Sequence, residues 1–148
     1  MASSPVRDST PTDVPSWLAL AAEVEPLFGP MPGIRGVIER GVERGTALVT
    51  GAQGAITGGI LLSRDDQAHR INWLAVATSA RGHGLGAALV SAALDRWRVG
   101  DIDVVTFTRD TPGGEPARHL YERFGFVRLG PAPTGSDGRP RDLYRLRR

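Results

Sequence analysis

Ile71-Asn72-Trp73-Leu74-Ala75-Val76-Ala77, followed shortly by Ala80-Arg81-Gly82-His83-Gly84-Leu85-Gly86-Ala87-Ala88-Leu89-Val90, runs from an apolar segment through a glycine-rich turn into a helical pattern. The mostly apolar first part reads as a central strand. Beyond the glycines, Val90, Ala93, Leu94 and Trp97 share one helical face, and the pattern continues to about Arg98. A strand feeding a glycine turn feeding a helix is an anion-binding device. Glycines let the backbone approach an anion closely, and the first N–H groups of a helix have no partner within it. The helix dipole adds about half a positive charge there, and Arg81 adds a full one.

The spacing narrows the choice of device. Gly82, Gly84 and Gly86 give G-x-G-x-G, not the G-x-G-x-x-G of a dinucleotide fold. Asp101 lies near the distance such a fold wants, yet no strand-crossover-strand unit opens the chain. A nucleotide P-loop needs Gly-Lys-Ser/Thr, and the chain contains no lysine. What remains is R-G-x-G-x-G after a strand. A second pattern follows about one strand and one loop later, in Ala117-Arg118-His119-Leu120-Tyr121-Glu122-Arg123-Phe124-Gly125-Phe126.

Together these stretches resemble the GNAT acetyltransferase superfamily. Arg81, Gly84 and Gly86 match its pyrophosphate-loop pattern Arg/Gln-x-x-Gly-x-Gly/Ala, and Ala117 to Phe126 match its A-x-x-L-Y-x-x-x-G-F signature. Two motifs in the family's order, on the right element types, are far more specific than either alone. The resemblance covers Thr46 to Leu146 in detail, and Val14 to Gly45 by element order only.

Length and composition agree with one ordinary domain. At 148 residues the chain is long enough for a single core. Its 41% hydrophobic and 23% charged content is that of a globular protein. There is no cysteine, so disulfides, thiolate metal sites and a cysteine nucleophile are excluded. His69, His83 and His119 share no ligand spacing, and no metal is expected. The sequence pI of about 9.9 comes from 18 arginines without lysine, while the net charge is only +2. That is too small a field to argue for nucleic acid. The Ala-, Gly- and Arg-rich, Lys-free composition reads as the codon bias of a GC-rich bacterial genome. No signal-peptide pattern follows Met1-Ala2-Ser3-Ser4-Pro5. The uncharged stretch from Gly45 to Ser63 holds too many glycines and threonines for a membrane span and reads as a hairpin. A cytoplasmic protein is expected.

In chain order, residues 1–13 are Ser/Pro/Thr-rich and read as a flexible tail, leaving 14–148 as a single domain. A helix starts at Val14-Pro15-Ser16, with Trp17, Leu20, Ala21 and Val24 on one face, and is expected to break at Pro26, Pro30, Pro32 and Gly33. Ile34 to Glu43 reads as a second helix capped by Gly45. Thr46–Thr50 and Ala55–Ser63 form a hairpin about Gly51-Ala-Gln-Gly54. Ile71–Ala77, Asp101–Thr108, a strand beginning at Phe126, and Leu143–Leu146 are further strands. Short helices follow the glycine loop and Glu115-Pro116. The order is α-α-β-β-β-α-β-α-β-β. No first strand is visible, because residues 1–13 lack apolar alternation, so the sheet edge and any homodimer built on it are left open.

The resemblance implies an α/β (α+β) fold with a mixed, mostly antiparallel sheet, a splayed parallel pair and about four flanking helices. It implies acetyl-CoA as co-substrate, lying between Ile71–Ala77 and Asp101–Thr108. The pantetheine arm would bond to the backbone of Leu74, Ala75 and Val76 like an added strand. The pyrophosphate would sit on N–H groups of Gly82, His83, Gly84, Leu85, Gly86 and Ala87, beside Arg81. A neutral primary amine, of a small molecule or a peptide, would attack the thioester. The Val76 N–H is the candidate oxyanion donor, and Tyr121 matches the family's general acid, a phenol protonated at neutral pH.

A general base is not evident. No carboxylate occurs from Gln67 to Leu94, and Glu39, Glu43, Asp65, Asp110 and Glu115 are more distant candidates. The asparagine that many relatives carry near position 114 is a glycine here. Trp17, Phe28, Met31 and Trp73 could line an acceptor pocket. Arg139, Arg141, Arg145, Arg147 and Arg148 alternate with apolar residues as a solvated strand face would. The alternative to an N-acetyltransferase is a catalytically inactive acyl-CoA-binding module. A nucleic-acid-binding protein is a distant third.

Overall fold

A computed structural model describes residues 5–148; the expectations placed on Met1 to Ser4 lie outside the described residues. Seven strands form one sheet in the order β1-β2-β3-β4-β5-β7-β6. They are β1 Val6–Asp8, β2 Ala47–Ala52, β3 Ala55–Leu62, β4 His69–Val76, β5 Ile102–Phe107, β6 Val127–Ala132 and β7 Arg141–Leu146. Four α-helices flank it: α1 Val14–Phe28, α2 Ile34–Arg44, α3 Leu85–Arg96 and α4 Glu115–Arg123. Every neighbouring pair is antiparallel except β4–β5. No described helix is long and apolar enough to cross a membrane.

The two sheet faces carry separate cores. On one, Trp17, Leu20 and Val24 of α1 and Ile38 of α2 pack against Ala47, Val49, Leu61 and Ala75. Trp17 lies flat on Gly59, where an added Cβ would come within 2.4 Å of its ring. On the other, Leu89, Val90, Ala93 and Trp97 of α3 and Leu120 and Tyr121 of α4 cover Leu48, Ile60, Ile71, Ile102, Val104 and Tyr144. Helix α1 runs through Pro26 and stops at Gly29, whose φ of 85° an L side chain resists. A proline near a helix end costs one bond, to the carbonyl of Ala22, and the apolar stripe outweighs it.

The first strand corrects the expected tail over residues 5–13. Three residues of β1 pair with β2, Val6 opposite Thr50 and Asp8 opposite Leu48. Apolar alternation does not hold them; a buried carboxylate does. Asp13 is fully buried. Arg7 donates to both its oxygens at 2.9 and 3.0 Å. The N–H groups of Thr10 and Gly54 donate at 2.8 Å each. Ser9 bonds Asp13 in turn and accepts from the Trp17 indole at 2.9 Å. One side chain thus ties β1, the start of α1 and the β2–β3 turn together.

Strand β4 carries the feature that opens the sheet. Leu61 lies opposite Trp73 and Leu62 opposite Ile71, so Asn72 is an extra residue, a β-bulge. The faces record it. Trp73, Ala75 and Ala77 pack on the α1/α2 side and Leu74 and Val76 on the α3/α4 side, but Ile71 joins Leu74 rather than Trp73. Pairing of β4 with β5 covers only His69–Ile102, Arg70–Asp103 and Ile71–Val104, and ends at the bulge.

The Arg7 guanidinium and the backbone N–H groups hold the Asp13 carboxyl far below the ordinary carboxylate range. A depressed folded-state pKa contributes stability above the unfolded value, about 3.9, and that contribution is lost as pH falls below it. Stability measured by urea unfolding should therefore decline below about pH 4, with a shallower decline in Asp13→Asn. At pH 7 Asp13→Ala should cost about 2–4 kcal/mol, the lower part of the range for a broken buried pair because Arg7 is partly exposed.

Candidate active site

Past the bulge, β4 and β5 diverge and leave one edge of β4 without a strand partner. The N–H of Ala77 donates to the Thr57 carbonyl at 2.8 Å. By antiparallel alternation Ala75 and Trp73 also turn their polar groups toward β3, while Val76 and Leu74 turn theirs toward the gap. The Arg81 Nε–H, which reaches the Val76 carbonyl at 3.4 Å from that side, agrees. Of the three residues expected to bond an extended ligand, Leu74 and Val76 have that freedom. Ala75 does not: its backbone faces Gly59.

A cleft of about 460 Å³ follows this edge to the N-terminus of α3. Leu74, Ala75, Val76, Arg81, Gly82, Gly84, Leu85, Gly86 and Ala87 all line it. None of the N–H groups from Gly82 through Ala87 has an acceptor among the described residues; the first to bond is Ala88, to the Gly84 carbonyl at 3.0 Å. Gly82 and Gly84 hold φ of 84° and 74° with open space where a Cβ would stand. They shape the turn and leave the N–H groups reachable. Gly86 serves packing: a Cβ there would meet Leu120 at 3.1 Å. His83 does not line the cleft. Its ring folds back on the Ala80 and Arg81 carbonyls at 3.2 and 3.0 Å, which puts the proton on Nδ1 and stiffens the loop.

A smaller cavity of about 190 Å³ lies in the mouth of the β4–β5 gap. It shares Phe28, Leu74, Phe107 and Ala117 with the cleft, so the two spaces meet. Tyr121 lines this cavity, one helical turn beyond Ala117. Its ring is buried and stands edge-on to Phe126 at 5.6 Å. No hydrogen bond engages its hydroxyl among the described residues. Burial pushes the phenol above its ordinary pKa, so it keeps its proton throughout the neutral range.

Of the residues expected at an acceptor pocket, Phe28, Met31 and Trp73 line the small cavity, while Trp17 lies in the core against Trp73. Phe28 bridges the gap, with ring centroids 5.6 Å from both Trp73 and Phe107. Among the described residues no carboxylate or histidine lines either space. Asp65 is bound to Arg96 at 2.7 Å in the turn before β4, at the other end of that strand. Glu39 pairs with Arg35 at 3.8 Å on the surface of α2. Glu43, Asp110 and Glu115 are exposed. Among the described residues no group of three His, Asp or Glu could hold a metal.

Three contributors escaped the sequence reading. Arg123 lines the cleft as Arg81 does and gives it a second cation; its place two residues after Tyr121 was the available signal. Glu23 accepts from the N–H and hydroxyl of Thr78 at 2.6 and 2.8 Å, pinning the turn after β4 to α1. Arg141 closes the small cavity, its guanidinium 5.1 Å from the Phe107 ring centre. Neither Glu23 nor Arg141 sits in a motif.

Residues 43–128, more than half of the chain, match the sequence family described as Acetyltransferase (GNAT) domain. A search of curated proteins found no match. Among solved structures, the chain resembles a GNAT-family acetyltransferase from Bacillus cereus ATCC 10987, with TM-score 0.77 and 17% identity over 97% of this chain and 96% of that one. It resembles Ard1 from Thermoplasma volcanium, with TM-score 0.78 and 22% identity over 96% and 95%. It also resembles Arabidopsis thaliana Naa50, solved with the bisubstrate analogue CoA-Ac-MVNAL, with TM-score 0.72 and 17% identity over 95% and 96%. At these identities the structural likeness is one of fold.

Gly114 shows why an asparagine is absent there: a Cβ would lie 2.5 Å from the Phe107 Cβ. Gly114→Asn should therefore cost about 1–3 kcal/mol through overpacking, lowering the thermal midpoint by roughly 3–10 °C in a chain of this length. A thermal melt beside wild type measures it.

Proposed function

This chain belongs to the GNAT acetyltransferase family, and we propose that it moves the acetyl group of acetyl-CoA to a primary amine by direct attack, with Tyr121 assisting the leaving thiolate. The observation that carries this reading is the free edge of β4 running into a helix N-terminus whose N–H groups have no partner. One extended, amide-bearing chain ending in a pyrophosphate complements both parts.

In this reading the Val76 N–H and the Leu74 carbonyl bond the pantetheine amides as an added neighbouring strand would. The pyrophosphate takes the N–H groups of Gly82 to Ala87, with Arg81 and Arg123 supplying charge. The thioester then lies where the two spaces meet, near Leu74 and Ala117. The amine nitrogen bonds to the carbonyl carbon, and the developing oxyanion takes a hydrogen bond from the Leu74 N–H, the gap-facing donor beside the thioester, rather than from the Val76 N–H. The C–S bond breaks, the sulfur receives a hydrogen bond and then a proton from Tyr121, and the proton shed by the new amide nitrogen passes to solvent, from which Tyr121 is reprotonated. Burial that raises the phenol's pKa keeps the proton in place but weakens the acid, so hydrogen-bond donation leads and transfer follows.

No carboxylate or histidine lines the reaction space, which supports an amine that is already neutral when it reacts. That lining also favours a second reading, an acyl-CoA binder without turnover. Thiol release from acetyl-CoA in the presence of amine separates the two, and Tyr121→Phe should lower kcat by about 10²–10⁴-fold with acetyl-CoA affinity kept. A Tyr121→Phe enzyme as fast as wild type would remove Tyr121 from the chemistry. Gly84→Trp, with its side chain over the helix N-terminus, should abolish acetyl-CoA binding in calorimetry.

The pH dependence follows from the same lining. With the neutral amine as the reacting form, kcat/KM should rise tenfold per pH unit up to the acceptor's own pKa. An inflection near pH 6–7, the same for acceptors of different basicity, would reveal a base on the protein.

A further inference from the structure

The walls of the small cavity carry information about the acceptor. Its apolar side is built from Phe28, Met31, Trp73 and Phe107. Phe28 meets Trp73 and Phe107 edge-on, at interplanar angles of 62° and 66°, and the three rings form a continuous surface. The Trp73 indole N–H, the one polar group of that surface, is directed at the Met31 sulfur at 3.2 Å. The volume, about 190 Å³, suits a group the size of one apolar side chain; about 150 Å³ lined by Leu, Ile and Phe is enough to bind benzene.

The charged wall points the same way. Among the described residues, Arg141 is the one charged residue of the lining. It is buried, and its guanidinium already donates to the carbonyls of Arg139, Pro140 and Phe28 at 3.3, 3.2 and 3.1 Å, and to Asp137 at 3.3 Å. Its Nη donors are consumed, so it holds the wall in place and leaves little to offer a carboxylate. Its charge repels a cation. An ammonium group brought here finds no acidic partner and must lose its water.

We infer that, granted the acetyl-transfer reading above, the acceptor is a primary amine carrying one uncharged apolar substituent about the size of an amino-acid side chain, seated against Phe28, Met31 and Trp73, and that polycationic amines are rejected. The same chemistry is offered by a free arylalkylamine and by the N-terminus of a peptide beginning with an apolar residue.

The test is a panel of acceptors at saturating acetyl-CoA, read by release of the CoA thiol, with calorimetry of acetyl-CoA run alongside. The panel holds phenethylamine, peptides beginning Met-Val and Asp-Val, and spermidine. Phenethylamine or the Met peptide should exceed spermidine in kcat/KM by at least about tenfold, and the Met peptide should exceed the Asp peptide by a similar factor. Which of the two leads identifies the source, free amine or peptide. Met31→Glu places a carboxylate in the wall outside the acetyl-CoA cleft, and should shift the ratio toward spermidine by about tenfold. Phe28→Leu keeps the wall apolar and should leave the order of acceptors intact.

Spermidine equal to or better than the apolar amines overturns the inference and leaves acetyl transfer standing. So does acetyl-CoA binding with no turnover of any apolar acceptor, or a preference for hexanoyl-CoA over acetyl-CoA, which would give the cavity to the acyl chain. Failure of acetyl-CoA to bind at all overturns both readings.

Discussion

The architecture turns on hydrogen bonds that β4 and β5 do not make. Their pairing stops at Ile71–Val104, although both strands continue for several residues. A backbone polar group buried without a partner costs about 1–3 kcal/mol, so a sheet does not part without cause. The cause here is local: the extra residue at Asn72 bends β4 and rotates the following side chains to the opposite faces. The parted edge is then left to a ligand or to water. Phe28 closes one side of the gap by touching a ring on each strand, and Tyr121 stands on the other.

Keeping Phe28 there requires that the end of α1 be fixed. A helix C-terminus leaves four carbonyls without partners and carries partial negative charge. The connection between β6 and β7 answers both. Arg139 donates to the Pro26 and Leu27 carbonyls at 3.3 and 2.6 Å, Arg141 to Phe28 at 3.1 Å, and Ser136 to Pro30. Asp137 joins the two guanidiniums. The Arg139 N–H and the side chains of Arg139 and Arg141 hold its carboxyl at about 2. The arginines of this terminal stretch, which alternation alone assigns to a solvated strand face, therefore divide by position. Arg139 and Arg141 clamp the end of α1 beside the small cavity, and Arg145 pairs with Asp103 at 2.6 Å across β5 and β7.

What could be read in the sequence was local, and what could not was relational. The glycine loop declares itself because a backbone that must turn tightly and expose its N–H groups needs glycine at particular positions, and Gly82 and Gly84 have the positive φ to match. The helix carrying Ala117, Leu120 and Tyr121 is legible from its apolar stripe. Strand β1 was not, because its partner is a carboxylate five residues beyond its end rather than its own alternation. The bulge at Asn72 was hidden inside an apolar run where every register looks alike. Arg141 and Glu23 are placed by contacts with chain more than 50 residues away, and no spacing rule reaches so far.

In the proposed reaction, the lack of a lining base among the described residues and the apolar wall offered to the acceptor fit one another. An amine in water near neutral pH is mostly protonated, and a base inside the site is one way to remove that proton. Another is to make the charged form costly. Moving an ammonium into a space lined by Phe28, Trp73, Phe107 and Met31, where Asn72 and Thr106 are neutral and Arg141 adds like charge, would lower its pKa by desolvation and repulsion together. Under the proposed acetyl transfer, the site would then draw the neutral amine from the mixture, the proton leaving to solvent before the acceptor is seated. A carboxylate in the wall would instead hold a second, non-reacting ammonium of a polyamine, the kind of substituent the apolar wall turns away. On this argument the missing base is a consequence of the kind of acceptor the cavity admits, and the two features stand on the same residues.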